Sequence, residues 1–202
     1  MKKFIALALA LCMTSAMSIA SFAAEVNTDG GSGSTPVYLS STEDGTMEGE
    51  PSATAMSVTV PTALPMAMSQ TGDVTTADNC QIINNSYGAV RVKSVTISAE
   101  NGWRLTAFGD KSTLASEKVD SNQLGFALRI GGGEWAVTDN TDESAQALIS
   151  APIAGCYMSG IGNTSDNAVS VDYEAIVTPL STPVTNANIA NVVFVIEWDT
   201  AA

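Results

Sequence analysis

The sequence predicts an all-β fold, an antiparallel two-sheet β-sandwich preceded by a flexible N-terminal arm. Three observations carry that reading. Short segments in which β-branched and polar residues alternate recur along the chain, as half-buried strands require. Val, Thr, Ser, Asn and Gly are plentiful while Lys, Arg and Gln are scarce, a composition that disfavours helices. Turn-like Gly, Pro and Asn residues join the segments, and no convincing amphipathic helix intervenes. A jelly roll or a β-barrel is the nearest alternative.

The first 23 residues stand outside the fold. Lys2 and Lys3 precede a mostly apolar run from Phe4 to Ile19, and Ser21-Phe22-Ala23 closes it. A charged start, an apolar middle and a small-residue exit make a secretory signal peptide, with cleavage expected after Ala23. The run is too short for a stable membrane span. Lipidation at Cys12 is not expected, because Leu11 before it is not small. Residues 24–52 read as a Gly/Ser-rich, acidic arm. Gly30-Gly31-Ser32-Gly33-Ser34 has linker composition, Glu43, Asp44, Glu48 and Glu50 are solvated acids, and Thr35–Ser40 is a strand candidate.

The sandwich domain is expected over residues 53–202. Its strands are read at Met56–Val60, Thr62–Met68, Gln81–Asn85, Gln123–Ile130, Glu134–Thr138, Val169–Thr178 and Asn191–Asp199. Ala145–Ile153 is strand or short helical turn, with Pro152 limiting the helix. The strongest local signal lies between Ala89 and Phe108. Val90 and Val92 would face opposite to Val95 and Ile97 in a regular ribbon, so a β-bulge is expected near Ser94. Asn101-Gly102 then suits a tight hairpin turn, with Trp103, Leu105 and Ala107 on the returning strand. Leu124, Phe126, Leu128 and Ile130 share one face, and Gly131-Gly132-Gly133 turns that strand into the next.

Composition narrows the chemistry. Cleavage removes two lysines and no acids, leaving six Lys/Arg against 21 Asp/Glu and a net charge of −15. Such a charge repels nucleic acid and anionic lipid. The chain has no histidine, which excludes a Ser-His-Asp or Cys-His nucleophile and His-ligated zinc. The fold is therefore read as non-enzymatic. Glu174 and Glu197 are the one carboxylate pair that a glycosidase reading would use, but alternation turns each to solvent. Asp139, Asp142 and Glu143 offer clustered oxygen ligands for calcium, without EF-hand spacing. Cys80 and Cys156 are the pair left after cleavage, and either a disulfide or two buried thiols fits an exported chain. Lys93, the lysine inside a strand, is read as exposed rather than as an isopeptide donor. Trp103, Trp135, Trp198, Tyr157 and Tyr173 would make a carbohydrate platform only if several faced water; strand patterning places most of them in the core.

At Gly102-Trp103-Arg104-Leu105-Thr106-Ala107 the chain resembles the first Trp-x-Leu motif of the WxL domains, β-rich surface domains of low-GC Gram-positive bacteria that attach non-covalently to the cell wall. Where that family places a second Trp-x-Leu, this chain has Trp198-Asp199-Thr200. The resemblance implies wall binding, with Trp103, Leu105 and Trp198 as the candidate residues. No Leu-Pro-x-Thr-Gly signal occurs, so sortase anchoring is not expected. The resulting expectation is a secreted, adhesive surface or extracellular-matrix protein whose partners are cell-wall polymer or other surface proteins, without a membrane span in the mature chain. A self-assembling fibre subunit using the arm, and a secreted carbohydrate-binding protein, are the alternatives.

Overall fold

A computed structural model describes residues 23–25, 28–30, 32–34, 55–69, 72–140, 144–154, 156–162 and 165–199. Among the described residues, fourteen strands and one short helix follow in order. They are β1 (Ala23–Glu25), β2 (Ser32–Ser34), β3 (Val58–Pro61), β4 (Met66–Met68), β5 (Val74–Thr76), β6 (Gln81–Asn84), β7 (Val90–Ala99), β8 (Arg104–Thr106), α1 (Lys111–Ala115), β9 (Gln123–Ile130), β10 (Ala136–Val137), β11 (Ala145–Ile149), β12 (Tyr157–Met158), β13 (Ala168–Val177) and β14 (Ala190–Trp198). A seven-stranded sheet runs β1-β3-β6-β13-β9-β10, with β8 also on β9. A five-stranded sheet runs β11-β7-β14-β2, with β12 also on β7. The sheets are not closed into a barrel; the architecture is an all-β sandwich.

Alternation places the core between the two sheets. Leu124, Phe126, Leu128 and Ile130 of β9 are buried with Val171, Tyr173 and Ala175 of β13. Val90, Val92, Val95 and Ile97 of β7 are buried with Val192, Phe194 and Ile196 of β14. Burying a side chain of this size stabilises the fold by about 1.5–3 kcal/mol. The parity problem on β7 is solved as its sequence requires. Val195 lies opposite Ser94 and Ile196 opposite Val92, so Lys93 is the extra residue of a bulge and all four apolar residues face inward.

The hairpin reading of residues 89–108 is corrected. Asn101 and Gly102 do turn the chain, with φ of 50° and 81°. The strand that leaves the turn does not return along β7. Both edges of β7 are taken, one by β14 and the other by β11 and β12. β8 instead crosses to the other sheet and pairs in parallel with β9, Leu105 opposite Leu124. The triple-glycine turn behaves as expected: Gly131 and Gly132 adopt φ of 60° and 71°, and β10 pairs antiparallel with β9.

Two smaller pieces close the sandwich. The β4–β5 hairpin packs Leu64, Met66 and Val74 against the core. Helix α1 begins where the Asp110 carboxylate accepts from the Ser112 N–H at 2.8 Å, and its Leu114 is buried. The short helix was not expected from the sequence.

Candidate functional site

The residues implied by the Trp-x-Leu resemblance do not converge. Leu105 is buried in the core, and Trp103 packs half-buried against it just after the Glu100–Trp103 turn, whose closing bond runs from Trp103 N–H to Glu100 O at 3.0 Å. Trp198 ends β14 opposite Val90 and lies over Gly88; a Cβ on Gly88 would come within 2.9 Å of its ring. The Asn84 side chain holds that contact in place, its Nδ2 donating to Gly88 O at 2.8 Å and to Ser159 O at 2.9 Å. Trp198 is thus at the Val90 end of β7 and Trp103 beyond its Ala99 end, about 30 Å apart at 3.3 Å per residue. Each tryptophan anchors one end of the sandwich.

Glu174 and Glu197 are divided between the sheets. Glu174 is exposed between buried Tyr173 and Ala175, on the outer side of the seven-stranded sheet. Glu197 follows buried Ile196 on the outer side of the five-stranded sheet. There it accepts from Arg91 Nε at 2.9 Å and pairs with Lys93 at 3.3 Å, while Arg91 also reaches Asp199 at 3.3 Å. The Arg91 hydrogen bond, assisted by Lys93, holds the Glu197 carboxyl below its ordinary range. This is a cross-strand charge ladder. The two carboxylates share no cleft, and Lys93 is exposed, as its sequence context suggested.

Asp139 and Asn140 are held by side-chain amides. Asp139 N–H donates to Gln146 Oε1 at 2.9 Å, and Asn140 Oδ1 accepts from Thr106 Oγ1 and Ala107 N–H. Asp139 is exposed, and Asp142 and Glu143 lie outside the described residues. Among the described residues, no three His, Cys, Asp or Glu side chains are grouped to hold a metal ion. The disulfide considered between Cys80 and Cys156 is not formed; both are free, half-buried thiols. β13 separates them. Cys80 O accepts from Val171 N–H on one side, while Cys156 Sγ packs beside Gly131, whose N–H donates to Ser170 O on the other. Burial pushes both thiols up, and Asp172 adds to the effect at Cys80.

Three of the five aromatic side chains, Trp103, Trp198 and Tyr173, pack in or against the core, as the patterning places most of them. Trp135 and Tyr157 are exposed, at 38% and 51%. They are on different sheets, Trp135 beside β10 stacked under the Arg129 guanidinium at 4.7 Å, and Tyr157 on β12 opposite Arg91. They form no common platform. Tyr173, by contrast, is buried and stacks on Phe126 at 6.1 Å.

Sequence reasoning missed the feature that brings separate segments together. The Ser32–Ser34 stretch, read as linker, is strand β2 on the open edge of β14, with Ser34 opposite Val193 and Ser32 opposite Val195. Strand β1 spans the expected cleavage point and pairs with β3, Ala24 opposite Val60 and Glu25 opposite Thr59. Between them, the Asp29 carboxylate accepts from Trp198 N–H at 2.8 Å. One arm therefore completes an edge of each sheet. Thr35–Ser40, the strand candidate in the arm, lies outside the described residues. The Ser-Gly-Ser triplet offers no alternation or β-branched residue from which pairing could be read. No protein-family model, curated protein or solved structure matches this chain.

Proposed function

We propose that the chain is a secreted, non-enzymatic surface or extracellular-matrix protein that associates non-covalently with the bacterial wall or with partner surface proteins. The observation that carries the reading is the pair of sheet edges, β3 and β14, completed by strands from an arm that precedes the domain. An edge strand presents a row of backbone donors and acceptors, and pairing along it gives adhesion without a cleft. The signal-peptide pattern supports export, and the acidic balance suits a protein that stays dispersed until it meets its partner. Under this reading Trp103, Leu105 and Trp198 stiffen the sandwich ends, and binding falls to exposed edges and faces.

Sedimentation of residues 24–202, with and without isolated Gram-positive cell walls, tests the proposal. Pelleting only with walls supports wall association, whereas pelleting without walls points to the self-assembling alternative. A protein that stays in the supernatant in both conditions overturns it.

A further inference from the structure

We infer that the arm is exchanged between copies, Ala24–Glu25 and Ser32–Ser34 of one molecule completing the β3 and β14 edges of the next. The inference rests on the edge-pairing reading above and names its partner as a second copy of this chain.

Three features carry it. First, the arm's hold is short: β2 pairs with three of the nine residues of β14, and after cleavage β1 contributes two, Ala24 and Glu25, on β3. Second, that hold is made of backbone. Ser-Gly-Ser brings no apolar side chain, so its contribution comes from ladder hydrogen bonds that every copy's β14 offers identically. Third, the tether is long. Twenty residues separate Ser34 from Ala55, a contour of up to about 70 Å, against about 30 Å for the length of β14. The same strands therefore reach a neighbour's edges with the sandwich unchanged.

Exchange leaves the contacts of β1, β2 and Asp29 as they are and alters only which molecule supplies them. The choice between the two arrangements is then set by concentration against the effective concentration of the molecule's own arm. Donor strands and acceptor edges are different surfaces, so the contact is head-to-tail and runs on into open chains unless rotation closes it. The β14 edge of a terminal copy stays available to the next arm.

Cross-linking in register is the test. In a Cys80→Ala, Cys156→Ala background of residues 24–202, Ser34→Cys molecules are mixed at high concentration with Val193→Cys molecules and oxidised. The paired positions are directly cross-strand, within disulfide reach. The expected result is a disulfide-linked dimer present in the mixture and absent from the Val193→Cys sample alone, its yield falling on dilution. A single chain carrying both substitutions is the control. If that chain closes internally while the mixture gives no mixed dimer, the arm stays with its own sandwich and the exchange is wrong. If neither forms, the β2–β14 pairing itself is wrong and the inference falls with it. Wall pelleting of the same variants keeps the two ideas apart: pelleting without cross-linking preserves surface association and removes exchange.

Discussion

The Tyr173 hydroxyl donates to the carbonyl of Pro65, 108 residues earlier in the chain. It also accepts from Ala77 N–H at 3.1 Å, so one buried side chain of β13 ties both ends of the β4–β5 hairpin to the core. Tyr173→Phe keeps the stacking on Phe126 and loses both bonds. The predicted cost is about 1–2 kcal/mol, measured by urea unfolding, with earlier amide exchange in Met66–Thr76. Unchanged stability would mean that the hairpin does not depend on this hydroxyl.

The same group makes an alkaline prediction. Burial pushes the Tyr173 phenol from 10.0 to about 12. The folded state thus favours the protonated form, and the unfolded chain releases that proton first. The stability Tyr173 contributes is complete below pH 10 and is lost as pH rises from 10 toward 12. Subtracting the Tyr173→Phe unfolding profile from that of the parent should isolate this decline. A difference that is flat across that window would contradict it.

Thr62 follows β3, and its buried Oγ1 has no hydrogen-bond partner among the described residues. A buried hydroxyl without a partner costs free energy, and valine has nearly the same shape. Thr62→Val is therefore predicted to stabilise the protein by roughly 1 kcal/mol. Calorimetry decides the sign, and a lower melting temperature would show that the hydroxyl is satisfied in solution.

Glu197 supplies an acid-side counterpart. Its folded form favours the carboxylate, because Arg91 and then Lys93 hold it. The unfolded chain protonates first as pH falls, so the contribution is present above the ordinary value of 4.5 and is lost as pH falls through the lower folded value. Its size is that of a partly exposed pair, at most about 1 kcal/mol. Glu197→Gln should flatten the acid limb of the stability profile by that amount. Combined with Glu174→Gln it should leave wall pelleting unchanged, since the two carboxylates stand on opposite outer faces.

What was legible in the sequence was parity. Val90, Val92, Val95 and Ile97 cannot share a face without an extra residue, and that is a local fact about one strand. What was not legible was competition for edges. Asn101-Gly102 signals a turn, but whether the chain returns along β7 depends on β11, β12 and β14, which arrive 44 or more residues later. The arm failed for the opposite reason: pairing of Ser32–Ser34 is supplied by β14, and the triplet itself carries no strand signal. The candidate site shared that fate, since the edges it uses exist only after both sheets have assembled.

The bulge on β7 gives the sharpest contrast between two deletions. Removing Lys93 leaves Val90-Arg91-Val92-Ser94-Val95-Thr96-Ile97, a strand of strict alternation. All four apolar residues keep their inward face, and the register with β14 becomes regular where it now skips Lys93. The losses are one partly exposed ion pair and the local twist that a bulge imparts, so the deletion should cost roughly 1–2 kcal/mol and preserve the fold. Removing Thr96 does the reverse. Ile97 then follows Val95 directly, turns toward solvent, and brings Ser98 into the core. Transferring Ile97 out of the core costs about 1.5–3 kcal/mol before the polar group that replaces it is counted. Side-by-side thermal melts should show cooperative unfolding for the Lys93 deletion and a broad or absent transition for the Thr96 deletion. Equal behaviour of the two would sink the assignment of Lys93 as the bulge residue.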